Sequence, residues 1–153
     1  MFLYLMQHGD AVAKDVNPDR PLSEQGRAHV ERVARCVAAA GVQIPQVWHS
    51  GKTRARETAE ILARATGGTV EERDRLRPDD DIRSALKQIA QAKCDVAIAG
   101  HLPHLSLLAA ELLRAKGGHN PIQFQRGGIV ALECAGEEQW RVRWMIVPEL
   151  LRD

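Results

Sequence analysis

Short apolar segments alternate with amphipathic segments along most of the chain, and this alternation constrains the fold more than any other sequence feature. An apolar run of about four to eight residues is typical of a buried strand, whereas apolar residues three and four positions apart are typical of a helix with one buried face. The pattern predicts strands at 2–6, 46–50, 68–72 and 94–100, and helices at 23–40, 53–66 and 103–117. It also predicts a helix within 77–92 that the aspartates of this segment are placed to cap.

The last part of the chain departs from this alternation. Two apolar runs within 127–147 predict a hairpin with four apolar residues on one face, namely Trp140, Val142, Trp144 and Ile146. Repeated strand–helix units favour a mainly parallel sheet with helices on both faces. We therefore predict an α/β fold, a three-layer α/β/α single domain over residues 1–153 that ends in an antiparallel hairpin.

Composition excludes several functional classes. The formal net charge of +1 gives no reason to expect a nucleic-acid or membrane partner. The three cysteines, Cys36, Cys94 and Cys134, are far apart and form no metal-binding pair, which is typical of reduced thiols in a cytosol. The opening apolar run is too short for a signal peptide, and no run approaches the roughly 20 apolar residues that span a bilayer. We expect a soluble, cytoplasmic protein.

Polar residues follow the predicted strands where each strand ends. His8 follows the first strand, Arg54 follows the second, and His101 follows the strand at 94–100. In a parallel sheet these ends meet at one edge, where ligands bind. An arginine near a helix amino terminus is unfavourable, because that end of the helix dipole is also positive. It becomes favourable when the arginine and the free backbone N–H groups bind the same anion. Each residue alone also suits an ordinary turn, but together they predict a phosphate site.

Other site chemistries fit less well. His101 and His104 lie three residues apart and Asp10 is a nearby candidate, but no third His or Cys has the spacing of a zinc site. The glycine-spaced phosphate loop of nucleotide-binding proteins is absent, as is the elbow of a serine or cysteine nucleophile. We expect no metal and no other cofactor.

Four motifs occur in order over residues 1–112: "LMQHGDA", "RPLSEQGR" (20–27), "SGKTRARETAEIL" (50–62) and "AGHLPHLSLLAAEL" (99–112). This ordered set resembles the histidine phosphatase superfamily, and most of all its small SixA-type phosphohistidine phosphatase branch. The resemblance implies a phosphoglycerate mutase-like fold. It also implies a phosphatase that works through a covalent phosphohistidine on the enzyme, without a metal.

The resemblance also assigns roles to residues. His8 matches the nucleophile that becomes phosphorylated, Arg54 matches the arginine that holds the phosphoryl oxygens, and His101 matches the second catalytic histidine. Arg20 resembles a further phosphate-contacting arginine of the SixA branch. Gly9 lets the chain turn beside the nucleophile without a Cβ in the way.

The chain departs from the family pattern just before the nucleophile. Gln7 stands where the family has an arginine, and a neutral amide replaces a charged fork of donors. Gln7 can still donate one hydrogen bond to phosphate. Arg20 or Lys52 is the candidate source of the missing charge.

A general acid is not evident from the sequence. The candidates are Asp10 and three aspartates at 79–81, of which Asp79 is the first, although aspartates in that place also suit a helix cap. His104 either lines the pocket or faces solvent. An imidazole leaving group needs an acid less than an alkoxide does, since the pKa of its conjugate acid is about 6.5.

These observations predict a phosphohistidine phosphatase. The resemblance implies that its partner is a phosphorylated histidine phosphotransfer protein, or another phosphohistidine protein, and that its product is phosphate. Two alternatives stay open: a small-molecule phosphomonoesterase, and a catalytically weakened phosphate- or phosphohistidine-binding module, which Gln7 allows.

Overall fold

A computed structural model describes residues 1–152. These residues form a six-stranded sheet in the order β3-β2-β4-β1-β5-β6, four α-helices and a short 3₁₀ turn at Pro148–Leu150. The elements are β1 (Phe2–Gln7), α1 (Glu24–Ala39), β2 (Gln46–His49), α2 (Thr53–Thr66), β3 (Thr69–Glu72), α3 (Ile82–Gln91), β4 (Val96–Gly100), α4 (His104–Leu112), β5 (Ile129–Cys134) and β6 (Trp140–Ile146).

The sheet is mainly parallel, as predicted. Strands β3, β2, β4 and β1 pair in parallel, and β5 and β6 add an antiparallel hairpin beside β1. The carboxyl ends of the parallel strands therefore meet at one edge, to which the following loops bring their side chains. The predicted α/β fold is confirmed.

Two apolar cores lie on opposite faces of the sheet. Alternation along β1 sends Tyr4 and Met6 to the core beneath α1 and α2, and Leu3 and Leu5 to the core beneath α3 and α4. All four of these side chains are buried. Burial on both faces explains why β1 is a continuous apolar run, and it fixes where the chain leaves the sheet at His8.

One helix begins at its predicted cap and another is shorter than predicted. Helix α3 begins at Ile82, because the Asp81 side chain caps it by accepting a hydrogen bond from the Arg83 N–H, as the predicted aspartate cap requires. Helix α4 ends at Leu112, not at 117, and Arg114 just beyond it has a φ of 54° in the left-handed region. Such a residue commonly terminates a helix.

The predicted face of the final hairpin is wrong. A register shift between Ala131 and Leu132 places Trp144 opposite Ala131 and Val142 opposite Leu132. The resulting bulge at Arg143 reverses the alternation, so Trp140 packs against the α3–α4 core and Trp144 against the α1–α2 core. Within residues 1–152, no helix combines the length and apolar character needed to cross a membrane.

Candidate active site

His8 leaves β1 with its imidazole orientation fixed by the backbone. The backbone N–H of His8 donates to the Gly100 carbonyl at 3.0 Å, which continues the pairing of β1 with β4. The ring Nδ1 lies 2.7 Å from the Gly9 carbonyl oxygen. Because a carbonyl only accepts hydrogen bonds, Nδ1 carries the ring proton and Nε2 is unprotonated. The ring is buried, with the residue 8% exposed.

The loop after His8 is tied to α2. The Gly9 N–H donates to Thr58 Oγ1 at 3.1 Å, and the Thr58 hydroxyl donates to the Arg54 carbonyl at 2.8 Å. A Cβ on Gly9 would lie 2.7 Å from Val30 Cγ2, closer than van der Waals contact allows. The chain therefore needs glycine here to pass close to α1, which contains Val30.

Arg54 and His101 lie beside His8. Arg54, in the first turn of α2, donates from Nε to His8 Nε2 at 3.3 Å. His101 follows β4, is 1% exposed, and has its ring centroid 5.2 Å from that of His8. Its Nε2 lies 2.6 Å from Ser50 Oγ, so the hydroxyl at the end of β2 holds the second imidazole. The three residues that the sequence placed at one sheet edge thus lie together.

Both imidazoles are neutral near pH 7. The pKa of His8 is lowered to about 4, mainly by burial and also by the charges of Arg54, Arg126 and Arg20, while the hydrogen bond to the Gly9 carbonyl opposes the shift. The pKa of His101 is lowered to about 3, again mainly by burial, with smaller contributions from His8 and Arg54. A neutral imidazole with an unprotonated Nε2 is a competent nucleophile.

Further positive charges surround the two rings. Arg20, with a φ of 49°, donates from Nε to the Val12 carbonyl at 3.2 Å, and its charge lowers the pKa of both His8 and Arg54. Lys52 stands at the amino-terminal cap of α2, and its charge contributes to the lowered pKa of His101. Cations around neutral rings suit an anionic ligand.

The candidate acids lie in different settings. Asp10 accepts hydrogen bonds from Ser23 Oγ at 2.8 Å and from Arg126 Nη1 at 2.7 Å, and the Ser23 bond is the main cause of its lowered pKa. It is therefore ionised at neutral pH and has no proton to donate. Asp79 is exposed, whereas Asp80 accepts from the Arg77 N–H at 2.9 Å.

Two further predicted site residues, Gln7 and His104, are also buried. Gln7 is 8% exposed, and its side-chain Oε1 has no hydrogen-bond partner among residues 1–152. His104, at the start of α4, is fully buried and so does not face solvent, and burial lowers its pKa. A buried acceptor without a partner is uncommon in a folded protein and is often found at a functional site.

Several contacts of the site were missed by sequence reasoning. Ser50 and Thr58 lie within the third motif but were not singled out, although their hydroxyls hold His101 and Gly9. Glu57 accepts from the Leu22 N–H at 2.9 Å and pairs with Arg27, so it joins α2 to the start of α1. Arg126 lies outside every motif.

A polar cleft of about 450 Å³ opens beside Ser50, whose hydroxyl contacts His101. Its other lining residues are Glu72, Arg73, Asp74, Arg75, Arg77 and Asp80. Within the described residues 1–152, no group of three or more His, Cys, Asp or Glu side chains is placed to hold a metal ion.

The pH dependence of His8 follows from its surroundings. We expect the His8 imidazole to titrate near pH 4 instead of 6.5, so that its neutral form persists as the pH falls through 6.5. Its contribution to stability is present above pH 6.5 and is lost as the pH falls towards 4, because the unfolded chain binds the proton first. The check is the His8 ring signal in an NMR titration, assigned with His8→Gln. A midpoint near 6.5 would contradict the expectation.

Comparisons with a family model and with solved structures point to the same family. Residues 3–78 match the model of the histidine phosphatase superfamily, branch 1. An uncharacterized protein of Picosynechococcus sp. is 29% identical over 140 residues, which cover 86% of this chain and 84% of that protein. A mycobacterial glucosyl-3-phosphoglycerate phosphatase, 18% identical with a TM-score of 0.73 over 94% of this chain and 98% of its own, shares the fold.

Two solved SixA structures match this chain with higher TM-scores than the mycobacterial phosphatase does. The protein histidine phosphatase SixA in complex with tungstate is 26% identical, with a TM-score of 0.84 over 99% of this chain and all of that one. A protein assigned as the phosphohistidine phosphatase SixA of Agrobacterium tumefaciens gives a TM-score of 0.77 at 22% identity, over 95% of this chain and 97% of that one. The matched fold is the predicted phosphoglycerate mutase-like fold. The chain belongs to the histidine phosphatase superfamily, within its SixA-type branch.

Proposed function

We propose that this protein hydrolyses phosphohistidine on a histidine phosphotransfer protein, through a phosphorylated His8. One observation carries the proposal: His8 has an unprotonated Nε2 that lies beside the Arg54 guanidinium, with the His101 ring next to its own. Superfamily membership and the SixA neighbours support phosphatase activity. The free cysteines favour a cytoplasmic setting.

The proposed first step is in-line transfer to His8. The Nε2 lone pair attacks phosphorus while the P–N bond of the substrate breaks. The electron pair of that bond leaves with the substrate imidazole, whose other ring nitrogen carries a proton, so that the imidazole departs neutral. The Nδ1 proton of His8 stays hydrogen-bonded to the Gly9 carbonyl. Arg54 and His101 contact the transferring group, where fixed donors meet the charge on its oxygens.

The second step regenerates the enzyme. Water attacks the phosphorus of phospho-His8, the P–Nε2 bond breaks, and its electron pair returns to Nε2. Phosphate leaves with one proton of the attacking water, and the other passes to solvent. No redox partner is needed, so the two steps sum to hydrolysis of a P–N bond.

The leaving group explains the preference for phosphohistidine. An alkoxide is a strong base that needs a proton from a nearby acid, but Asp10 is ionised by its Ser23 and Arg126 contacts. An imidazole is a much weaker base and leaves without such help. The open polar cleft beside Ser50 offers space for the leaving side of a protein substrate.

A comparison of substrates tests the proposal. We expect kcat/KM for a phosphohistidine-bearing phosphotransfer domain to exceed that for an alkyl phosphate ester by at least about 100-fold, since only the ester requires an acid. Phosphate release from both substrates is measured at the same pH, with the spontaneous hydrolysis of phosphohistidine subtracted. Faster hydrolysis of the ester would instead support a small-molecule phosphomonoesterase.

The aspartates after Arg77 provide a second check. We expect Asp79→Asn and Asp80→Asn each to leave phosphohistidine hydrolysis within about threefold of wild type, because no proton donor is needed. Asparagine at 80 keeps an oxygen that can accept the Arg77 N–H. A loss of tenfold or more in steady-state kcat would identify a general acid and contradict the proposed leaving-group chemistry.

A further inference from the structure

The turn before β5 is attached to the backbone of Gln7. The Gly127 N–H donates to the Gln7 carbonyl at 2.9 Å, and the Gly128 N–H closes the turn on the Gln125 carbonyl at 2.9 Å. Gly127 has a φ of 76°, a conformation that favours glycine, and a Cβ there would lie 3.6 Å from Val30 Cγ2. The turn therefore holds Arg126 next to the end of β1.

The Arg126 side chain reaches towards the His8 loop. Its Nη1 donates to Asp10 Oδ1 at 2.7 Å, two residues after His8, and the side chain remains 57% exposed. A guanidinium has five N–H donors, so most of them are available to a ligand from solvent. Arg126 is also among the charges that lower the pKa of His8, so its charge acts on that ring.

Asp10 holds Arg126 through one of the guanidinium nitrogens and leaves the other donors available. The other carboxylate oxygen of Asp10 is already bound by the Ser23 hydroxyl at the amino terminus of α1. Asp10 is thus a fixed anchor, and the guanidinium can share its donors between that carboxylate and a second anion.

We propose that Arg126 contacts the phosphoryl group and supplies the positive charge that Gln7 does not. This inference rests on the proposed function, because it names a further residue of the same site. The Gly127 N–H donates to the Gln7 carbonyl, so the turn that contains Arg126 lies next to Gln7. The positive charge that is absent at position 7 is then supplied from this neighbouring turn. Arg126 thereby takes the place that the sequence left to Arg20 or Lys52.

The test measures vanadate affinity by calorimetry and kcat/KM for a phosphohistidine peptide in parallel. We expect Arg126→Ala to weaken vanadate binding and lower kcat/KM by about 10- to 100-fold, the effect of losing one charge-assisted hydrogen bond. Arg126→Lys should retain part of both. The matched control is Arg143→Ala, which removes another exposed arginine paired with one carboxylate, that of Glu133. It should leave both values within twofold.

Two double variants separate a phosphoryl contact from a structural role. We expect Gln7→Arg to raise vanadate affinity at least tenfold in the Arg126→Ala background, because the new arginine replaces the lost positive charge. The gain should be smaller in wild type, because Arg126 already supplies that charge. We expect Asp10→Asn not to restore the Arg126→Ala variant. Restoration by Asp10→Asn would show that Arg126 only neutralises Asp10, and would overturn the inference.

The two proposals fail in different ways. Wild type that binds vanadate but does not release phosphate from phosphohistidine would contradict the proposed function, while the vanadate affinities would still decide the role of Arg126. Equal vanadate affinity in wild type, Arg126→Ala and Arg143→Ala would overturn the Arg126 inference alone. A wild type that binds no vanadate would overturn both.

Discussion

His8→Ala is expected to lower kcat for phosphohistidine hydrolysis by roughly 10⁴- to 10⁶-fold, the range seen when a nucleophile is removed from a hydrolase. The reason is geometric as well as chemical. His8 Nε2 is the ring atom that the Gly9 contact leaves unprotonated beside Arg54, and alanine offers no atom that can accept the phosphoryl group. Single-turnover release of phosphate measures the loss.

The control is a histidine outside the pocket. His119 is exposed, so His119→Ala should retain wild-type kcat within about twofold. Circular dichroism and thermal unfolding should show that His8→Ala remains folded. A decrease of less than tenfold in a folded His8→Ala protein would mean that another residue carries the phosphoryl group.

Gly26→Ala is expected to destabilise the protein by about 3 kcal/mol, the upper end of the cost of forcing an extra methyl group into a packed site. On helix propensity alone, alanine in α1 would stabilise by about 1 kcal/mol. A Cβ at Gly26, however, would lie 2.0 Å from the Asp10 carbonyl oxygen. Because the obstacle is backbone, α1 or the loop after His8 must move. Chemical denaturation measures the change.

The same substitution should impair catalysis. The Ser23 hydroxyl at the cap of α1 and the Asp10 backbone both lie at this contact, so a shift there displaces the loop that orients His8. Gln25→Ala is the matched control, since Gln25 is an exposed neighbour in the same turn of α1. It should be as stable as wild type or slightly more so. Equal stability of Gly26→Ala and Gln25→Ala would contradict the close contact.

Local sequence patterns predicted most of the fold. Helix α2 spans Thr53–Thr66, as the periodicity indicated, and strand β2 lies within the predicted 46–50. The errors came from tertiary effects. The bulge at Arg143 depends on the pairing of β6 with β5, and the end of α4 depends on the backbone at Arg114, neither of which periodicity reports.

The candidate site was predictable where its residues follow parallel strands. His8 and His101 follow β1 and β4, and Arg54 lies at the start of α2, just after β2. The three were predicted to lie together because the carboxyl ends of parallel strands meet at one edge of the sheet. Arg126 was not predictable in this way. It reaches the site only because β5 pairs antiparallel with β1, and that long-range pairing leaves no local signal in the sequence.

The most direct test of the central claim is to find the phosphorylated atom. Wild-type protein is treated with phosphoramidate, quenched at alkaline pH, and examined by intact-mass measurement and phosphorus NMR. The structure predicts one phosphate on Nε2 of His8, because the Gly9 carbonyl keeps Nδ1 protonated, and predicts none in His8→Ala. Phosphate on Nδ1, phosphate on another residue, or steady turnover without any phosphoenzyme would contradict the account.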